Sequence, residues 1–410
     1  MKLTFNKLAG MTGALAMAAA ALWVAHAEAQ AQEITIGMTV SQSGRFALAA
    51  QSGERGLKIW IDDVNRRGGV DVGGTKHKIK LVSLDDRSDK TMVPRVYETL
   101  IKDEKVDILF GPFGSTLTGA AANATEQFGE FLVIWSASSD KIYEQGHKYV
   151  VSATQIAASR LGKPGADFMG AIGIKKLAMI YLDEPFPAGT AEGVRKRAKE
   201  HGIEVVMFEK FAKGTKDFSV MIQKALATGA DAFYPASYEG DQMNIVRQMR
   251  ELDANFPMTY VFYGSQPQFL EIGADAKYLF SQTLLHEKVN WKVNAGLNRN
   301  EVVARYDELF PDVAYAADFQ TALAYGAGAV LEEIIEKAGS IEPAKLKQAA
   351  IDLSGKLTVM TGPYEILENG KQIQMEFVVM QNQKQGLEVV YPDSIATAKP
   401  VYPVPTYDKR

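Results

Sequence analysis

The chain has 410 residues, 45 of them Lys or Arg and 49 Asp or Glu, for a formal net charge of −4 at pH 7, and it contains no cysteine. An acidic balance argues against a nucleic-acid partner, whose phosphates call for a basic surface, and a chain without cysteine has no disulfide framework. A 47% hydrophobic and 23% charged composition is globular, and its length exceeds one ordinary core, so two domains are expected.

Residues 1–27 carry no acid, only Lys2 and Lys7 as bases, and an Ala-rich apolar run ending in Ala25-His26-Ala27. This reads as a cleaved secretory leader rather than a membrane anchor, because the run is short and no positive stop-transfer flank follows. Without cysteine there is no acylated N-terminus. The mature protein is therefore expected to be free, soluble and periplasmic.

Ile34 to Val40 reads as a strand that opens into Ser41-Gln42-Ser43-Gly44-Arg45-Phe46. A helix follows to about Arg67, with Leu57, Trp60, Ile61 and Val64 on one face and Gly68-Gly69 as its stop. Lys78 to Leu84 alternates as a strand, Asp85-Asp86 turns the chain, and a helix carries Met92, Val96, Leu100 and Ile101. Next come the strand at Ile108-Leu109-Phe110, the loop Gly111 to Thr118, a small-residue helix to Phe128 and the strand Phe131 to Trp135. That last strand opens into Ser136-Ala137-Ser138-Ser139-Asp140. The order βαβαβαβ marks a doubly wound parallel sheet, in which ligands bind at loops beyond the carboxyl ends of the strands. Ser115, Thr116, Ser138 and Ser139 are read as one half of a ligand site, near free N–H groups that favour an anion. Capping and turn chemistry alone is the competing reading.

After Val151 the same order restarts. Leu177 to Tyr181, Glu204 to Phe208, Asp231 to Tyr234 and Met258 to Tyr263 read as strands, with helices between them. Their loops hold Phe186, Tyr238-Glu239 and Gly264-Ser265-Gln266. One plan used twice predicts two like lobes with a cleft between them. Helices follow at about 301–310, 321–337 and 345–353, then strands around the Asn369-Gly370 turn and a Pro-rich extended tail from Lys399.

Chemistry is sparse. Five scattered His residues give no metal-ligand spacing, and there is no P-loop, no Gly-x-Ser-x-Gly and no Gly-x-Gly-x-x-Gly, so neither a metal nor a cofactor is expected. Asp85-Asp86 reads as turn chemistry ahead of a metal or acid pair. Phe113, Trp135, Phe186, Tyr238 and Tyr263 sit at strand ends, where a ligand wall and simple packing are both open.

Taken together, these pieces resemble the type I periplasmic solute-binding proteins of ABC importers, of the leucine/isoleucine/valine-binding kind. The parts that carry the resemblance are Ser43-Gly44, Asp63 to Val70, Leu84-Asp85-Asp86, Gly111-Pro112 with Ser115-Thr116, Trp135 to Ser139, Tyr325, Gly362-Pro363 and Glu368-Asn369-Gly370. The resemblance implies two doubly wound α/β lobes joined by a three-crossover hinge. Residues 28–151 and 286–357 would form lobe 1, residues 152–285 and 358–398 lobe 2, and 399–410 a tail. It implies that a ligand carboxylate is held by Ser115, Ala137, Ser138 and Ser139, with Phe186 and Tyr238 lining the cleft. Ser265 stands where the family has an acid for the ligand's ammonium, and Ser88 and Gly114 stand at the family's disulfide. A buried ammonium without a partner is costly. An apolar or aromatic acid without an amine is therefore favoured over leucine or valine unless Glu239 or Asp241 substitutes. The expected protein is a monomeric receptor that hands its ligand to an inner-membrane ABC permease and does no covalent chemistry. The rivals are a sensory ligand-binding protein and a secreted two-domain enzyme.

Overall fold

Glu33–Val40 (β1) is buried along almost its whole length, as a central parallel strand covered on both faces must be. The computed structural model describes residues 33–410, and the leader expected at 1–27 lies outside them. Helix α1 (Ala47–Arg66) ends at Gly68 and Gly69, both at positive φ, and the Gly69 amide bonds back to the Val64 carbonyl at 2.9 Å. A hairpin of β2 (Val70–Val72) and β3 (Thr75–Asp85) follows, then α2 (Val93–Lys102), β4 (Ile108–Phe110), α3 (Ser115–Phe128), β5 (Leu132–Ile134) and β6 (Val150–Ser152). These strands form one sheet in the order β2-β3-β1-β4-β5-β6. Only the β2–β3 pair is antiparallel, and β1 runs in register with β3 from Glu33↔Lys78 to Val40↔Asp85. The β2 strand was not anticipated; three residues between glycines carry too short a pattern to read.

The second half repeats the plan. After α4 (Ala158–Leu161) and α5 (Lys163–Ala171) come β7 (Lys176–Leu182), α6 (Pro185–Glu200), β8 (Glu204–Phe211), α7 (Ser219–Ala227), β9 (Ala232–Ala236), α8 (Glu239–Glu251) and β10 (Met258–Thr259). The sheet order is β10-β9-β7-β8, all parallel. In the first sheet β1 lies between β3 and β4, and in the second β7 lies between β8 and β9, so both have a switch point beside their first strand. The loops after β1 and β4 open on one switch point, and those after β7 and β9 on the other. The predicted strand from Met258 to Tyr263 is only two residues long, because the backbone turns at Val261, whose amide bonds the Phe280 carbonyl.

Chain then passes through α9 (Pro267–Leu270) and β11 (Phe280–Thr283) before returning to the first body as α10 (Arg299–Leu309), α11 (Phe319–Ala338) and α12 (Pro343–Asp352). Helix α11 is buried almost throughout and lies against α1. The close approach depends on glycines. A Cβ on Gly56 would meet the Thr321 carbonyl at 2.1 Å, and one on Gly328 would meet the Trp60 ring at 2.4 Å. Strands β12 (Leu357–Val359) and β13 (Gly362–Tyr364) and the turn at Asn369-Gly370 stay with the first body. There the Gly370 carbonyl accepts from Ser152 and the Tyr364 hydroxyl donates to Ala350. Strands β14 (Val378–Gln383) and β15 (Gly386–Tyr391) pair with β11 on the second body. The Pro-rich tail is largely irregular but anchored, with Tyr407 buried and its carbonyl accepting from Arg250 at 2.7 Å. Among the described residues no helix is long and apolar enough to cross a membrane.

Candidate functional site

The four switch-point loops face one another. Arg45, just after β1, donates to both oxygens of Glu184, just before α6, at 2.6 Å each. Its guanidinium lies 4.3 Å from the Phe46 ring centroid and 5.1 Å from that of Tyr238. The Thr116 hydroxyl reaches the same Glu184 at 3.5 Å. The two bodies thus touch across the cleft through an ion pair and a cation on two rings.

Behind this contact the hydroxyl loops meet. Ser115 opens α3 after Gly114, whose φ of 83° lets the chain swing into the helix. Its Oγ accepts from the Ser138 amide at 3.1 Å and the Ser139 amide at 3.0 Å. All three residues are buried, Ala137 is wholly so, and the Gly114 amide donates to Ser136 Oγ at 3.1 Å. Both amides are spent on Ser115 Oγ, which leaves the Ser115 hydroxyl hydrogen as the donor this cradle can offer an anion. The Asp85-Asp86 turn braces the neighbouring loop after β1. Asp86 accepts from Thr39 at 2.7 Å, from Ser41 at 2.5 Å and from the Ser88 amide at 2.9 Å, which ties the β1 and β3 loops together. Among the described residues no group of three or more His, Cys, Asp or Glu is placed to hold a metal.

A small cavity of about 20 Å³, room for about one water molecule, lies beside Ser138 where the two bodies meet. Gly114, Ser136, Ser138, Gln155 and Gln320 line it with polar atoms, and Phe113, Phe186, Tyr238, Phe262, Tyr263 and Phe319 with rings. The rings make a continuous wall: Phe46 to Tyr238 at 4.8 Å, Tyr238 to Phe186 at 5.2 Å, Phe186 to Phe262 at 5.7 Å and Phe262 to Phe319 at 5.7 Å. No charged side chain is among the lining residues. A larger open groove between Ile156 and Ile395 lies away from the strand-end loops, among the segments that cross between the bodies.

The structure separates the predicted residues into two groups. Ser115, Ser138, Ser139, Ala137, Phe113, Phe186, Tyr238 and Tyr263 come together at the cradle or the cavity, with Thr116 at its rim. Three others turn elsewhere. Trp135 is wholly buried behind Phe113 and donates to the Gly111 carbonyl at 2.8 Å. The Ser265 hydroxyl is spent on the Gln282 carbonyl at 2.8 Å, and Asp241 accepts from Ser237 at 2.6 Å within its own helix turn. Glu239 is a distinct case. The residue keeps some exposed surface, but its Oε1 is sealed and has no hydrogen-bond partner. Burial, and after it the charge of Asp318 on the other body, push its carboxyl up to about 8.

Several residues of the cavity carry no legible signal. Phe262 lies within the strand expected at Met258 to Tyr263 and Leu323 within the small-residue helix expected at 321–337, and nothing local marks them, Phe319 or Gln320 as facing the cleft. Arg45 and Glu184 stand at complementary loop positions 139 residues apart, which only the fold unites.

A sequence model described as periplasmic binding protein matches residues 33–386. The Leu/Ile/Val-binding protein homolog 7 of Brucella suis biovar 1 (strain 1330) is 27% identical over 407 residues, covering 94% of this chain and 98% of that protein. Among solved structures, the branched-chain amino acid substrate-binding protein LivJ of Streptococcus pneumoniae, in complex with isoleucine, aligns with a TM-score of 0.74 and 21% identity. That alignment covers 88% of this chain and 100% of the other. A solute-binding protein of an R. palustris ABC transporter, in complex with benzoate, aligns with a TM-score of 0.73 and 16% identity over 90% of this chain and 98% of the other.

Proposed function

Because the chain belongs to the periplasmic binding protein family, we propose that it captures a small carboxylate with an apolar or aromatic body between its lobes and delivers it to an inner-membrane ABC permease. The observation that carries this reading is the place where the loops meet: serine hydroxyls at Ser115, Ser136 and Ser138 beside a wall of rings, with no charged residue lining the small cavity there. Isoleucine and benzoate, held by two proteins of this fold, share a carboxylate on an apolar body. The uncharged lining favours the amine-free kind, since a buried ammonium without a counter-charge is costly. The protein works as a monomer in the periplasm after its leader is removed, and no covalent step is assigned to it.

The hinge of this reading runs through three segments, near Ser152–Ala157, near Leu284–Val289 and near Ile373–Phe377. The third lies beyond the Thr358 that the sequence suggested, because residues 357–372 bond to the first body. Lobe 1 would then comprise 33–151 and 290–373, and lobe 2 the remainder.

The test is a calorimetric panel of apolar and aromatic carboxylates against their amino-acid counterparts, on protein unfolded and refolded to strip carried ligand. Saturating ligand should reduce the radius of gyration in solution scattering and raise Tm with concentration. Identical scattering with and without ligand would exclude closure. Ser115→Ala should weaken binding of the best panel ligand by about 1.5–3 kcal/mol, the range for a hydrogen bond to a charged group, and lower Tm of the still-folded free protein, because the buried Ser138 and Ser139 amides lose their acceptor. Full affinity in this variant would move the carboxylate elsewhere.

A further inference from the structure

The open groove among the crossing segments has a volume of about 710 Å³, against about 20 Å³ where the switch-point loops meet. That is the size of a site for a whole small molecule. None of its lining residues lines the cavity in the cleft. The floor is apolar. Ile156, Val289, Met375 and Phe377 are buried residues of the segments that cross between the bodies, and Trp291 and Tyr391 add half-buried rings.

The rim is charged, and one sign prevails. Asp167 and Glu200 are both taken by Arg197, at 2.5 and 2.6 Å. Arg160 donates to the Ile373 carbonyl at 2.9 Å and keeps its charge free. Lys163, Lys196 and Lys288 are exposed and have no ion-pair partner among the described residues. Glu376 is the one lining acid left to oppose these cations. In a chain of net charge −4 the excess runs against the overall balance, and cations gathered round an apolar floor attract an anion.

We propose that this groove is an effector site for a free amphipathic anion, a medium-chain carboxylate, whose acid group meets the lysine rim and whose apolar body lies on the floor. A small acid alone gains little from solvated lysines, and an uncharged chain gains nothing from them; a chain with an acid group matches both parts of the groove. Each of the three crossing segments contributes to the groove, through Ile156, through Lys288 and Val289, and through Ile373 to Phe377. Their torsions change when the lobes part, so the groove has this shape with the lobes closed and Arg45 bonded to Glu184 across the cleft. A molecule fitted to it favours closure, and by reciprocity its affinity rises when the cleft is filled. The site does not depend on what the cleft binds; its link to closure rests on the reading of the protein as a hinged receptor.

Calorimetry with decanoate, and with decyltrimethylammonium as the same chain under the opposite charge, tests the site. Both are kept below their micelle concentrations, and both are titrated into the wild type and into Lys163→Glu/Lys196→Glu. The two lysines are exposed, so the double variant should melt as the wild type does. The wild type should bind decanoate about tenfold or more above the cationic chain, and the double variant should lose that preference. Decanoate should also shift the tryptophan emission. Trp291→Phe should remove the shift and keep the heat of binding, because Trp60 and Trp135 are enclosed in the core. Saturating decanoate should reduce the radius of gyration of the wild type and not of the double variant. Equal binding of the two chains, or of decanoate by wild type and double variant, would overturn the site. Decanoate binding that Ser115→Ala removes and the double variant keeps would place the acid in the cleft, overturning this proposal with the carboxylate reading left standing. Binding to phosphatidylglycerol vesicles without binding to free decanoate would make the groove a membrane contact and overturn it as well. An unchanged radius of gyration with decanoate bound would overturn the effector role. A carboxylate panel in which nothing fills the cleft would fail that reading alone, since the decanoate titration does not use it.

Discussion

Gly53→Ala should lower the unfolding free energy by about 3 kcal/mol and weaken ligand binding at least tenfold, although residue 53 does not line the cavity. A Cβ there would lie 2.1 Å from Trp135 Cη2 and 2.6 Å from two further atoms of the ring, well inside van der Waals contact. The indole has nowhere to retreat. It is fully buried, its Nε1 is held by the Gly111 carbonyl at 2.8 Å, and Phe113 stands 5.9 Å away, centroid to centroid. The displacement must pass to Phe113, which lines the cavity and packs on Phe46 and Tyr238. Overpacking of this kind costs about 1–3 kcal/mol, and a stiff ring held by a hydrogen bond belongs at the upper end. Gly119→Ala on α3 is the contrasting case: nothing lies within 4 Å of its added Cβ, and the change should be neutral or stabilising by up to about 1 kcal/mol. Urea unfolding and calorimetry on both variants check the pair. Wild-type stability in Gly53→Ala would mean that α1 and Trp135 are not in the contact described.

That contact also marks the boundary of what the sequence discloses. The βαβ order, the duplicated plan and the loops that end the strands were all legible, because each is written in short-range periodicity and in Gly, Pro and hydroxyl punctuation. That the Ser115 and Ser138-Ser139 loops lie side by side was legible too, since neighbouring strands of a parallel sheet place their following loops together; that the Ser138 and Ser139 amides are spent on Ser115 Oγ was not. What escaped depends on separations of more than a hundred residues. Trp135 reads equally well as wall or core, and only Gly53 on α1 and the Gly111 carbonyl decide for core. Gln320 sits in a helix whose apolar residues run all round it, so no amphipathic stripe points its first turn at the cleft. The family resemblance puts Ser265 at the ammonium position, but its hydroxyl donates to a carbonyl on β11, a strand whose place beside that loop has no local signal.

The pH dependence of binding should report whether the ligand carries an amine. In the closed cleft, Glu239 of the second body has a sealed, unpartnered Oε1, and burial, followed by the charge of Asp318 on the first body, pushes its carboxyl up to about 8 from an ordinary 4.5. The other titratable groups near it are the Tyr263 and Tyr315 phenols, both held neutral by values raised above the usual tyrosine range, and Arg55, which acts on Asp318. When the lobes part, Glu239 regains water and loses Asp318, and its carboxyl returns toward the ordinary value. The group therefore has a higher pKa in the closed state, and closure takes up a proton. Its contribution to closure is fully present below about pH 4.5 and is lost as pH rises to about 8, by up to tenfold per pH unit. An amine-free carboxylate should thus bind at least tenfold more weakly at pH 8.5 than at pH 5.5, and Glu239→Gln should flatten the profile. A ligand ammonium seated against Glu239 removes that loss: the cation holds the carboxyl ionised, at or below its open-state value of about 4.5, so affinity stays level between pH 5.5 and 8.5. Calorimetry at four pH values, with benzoate and with leucine, separates the two. A level profile for leucine, with affinity lost at every pH in Glu239→Gln, would identify this residue as the acid that takes the place left by Ser265.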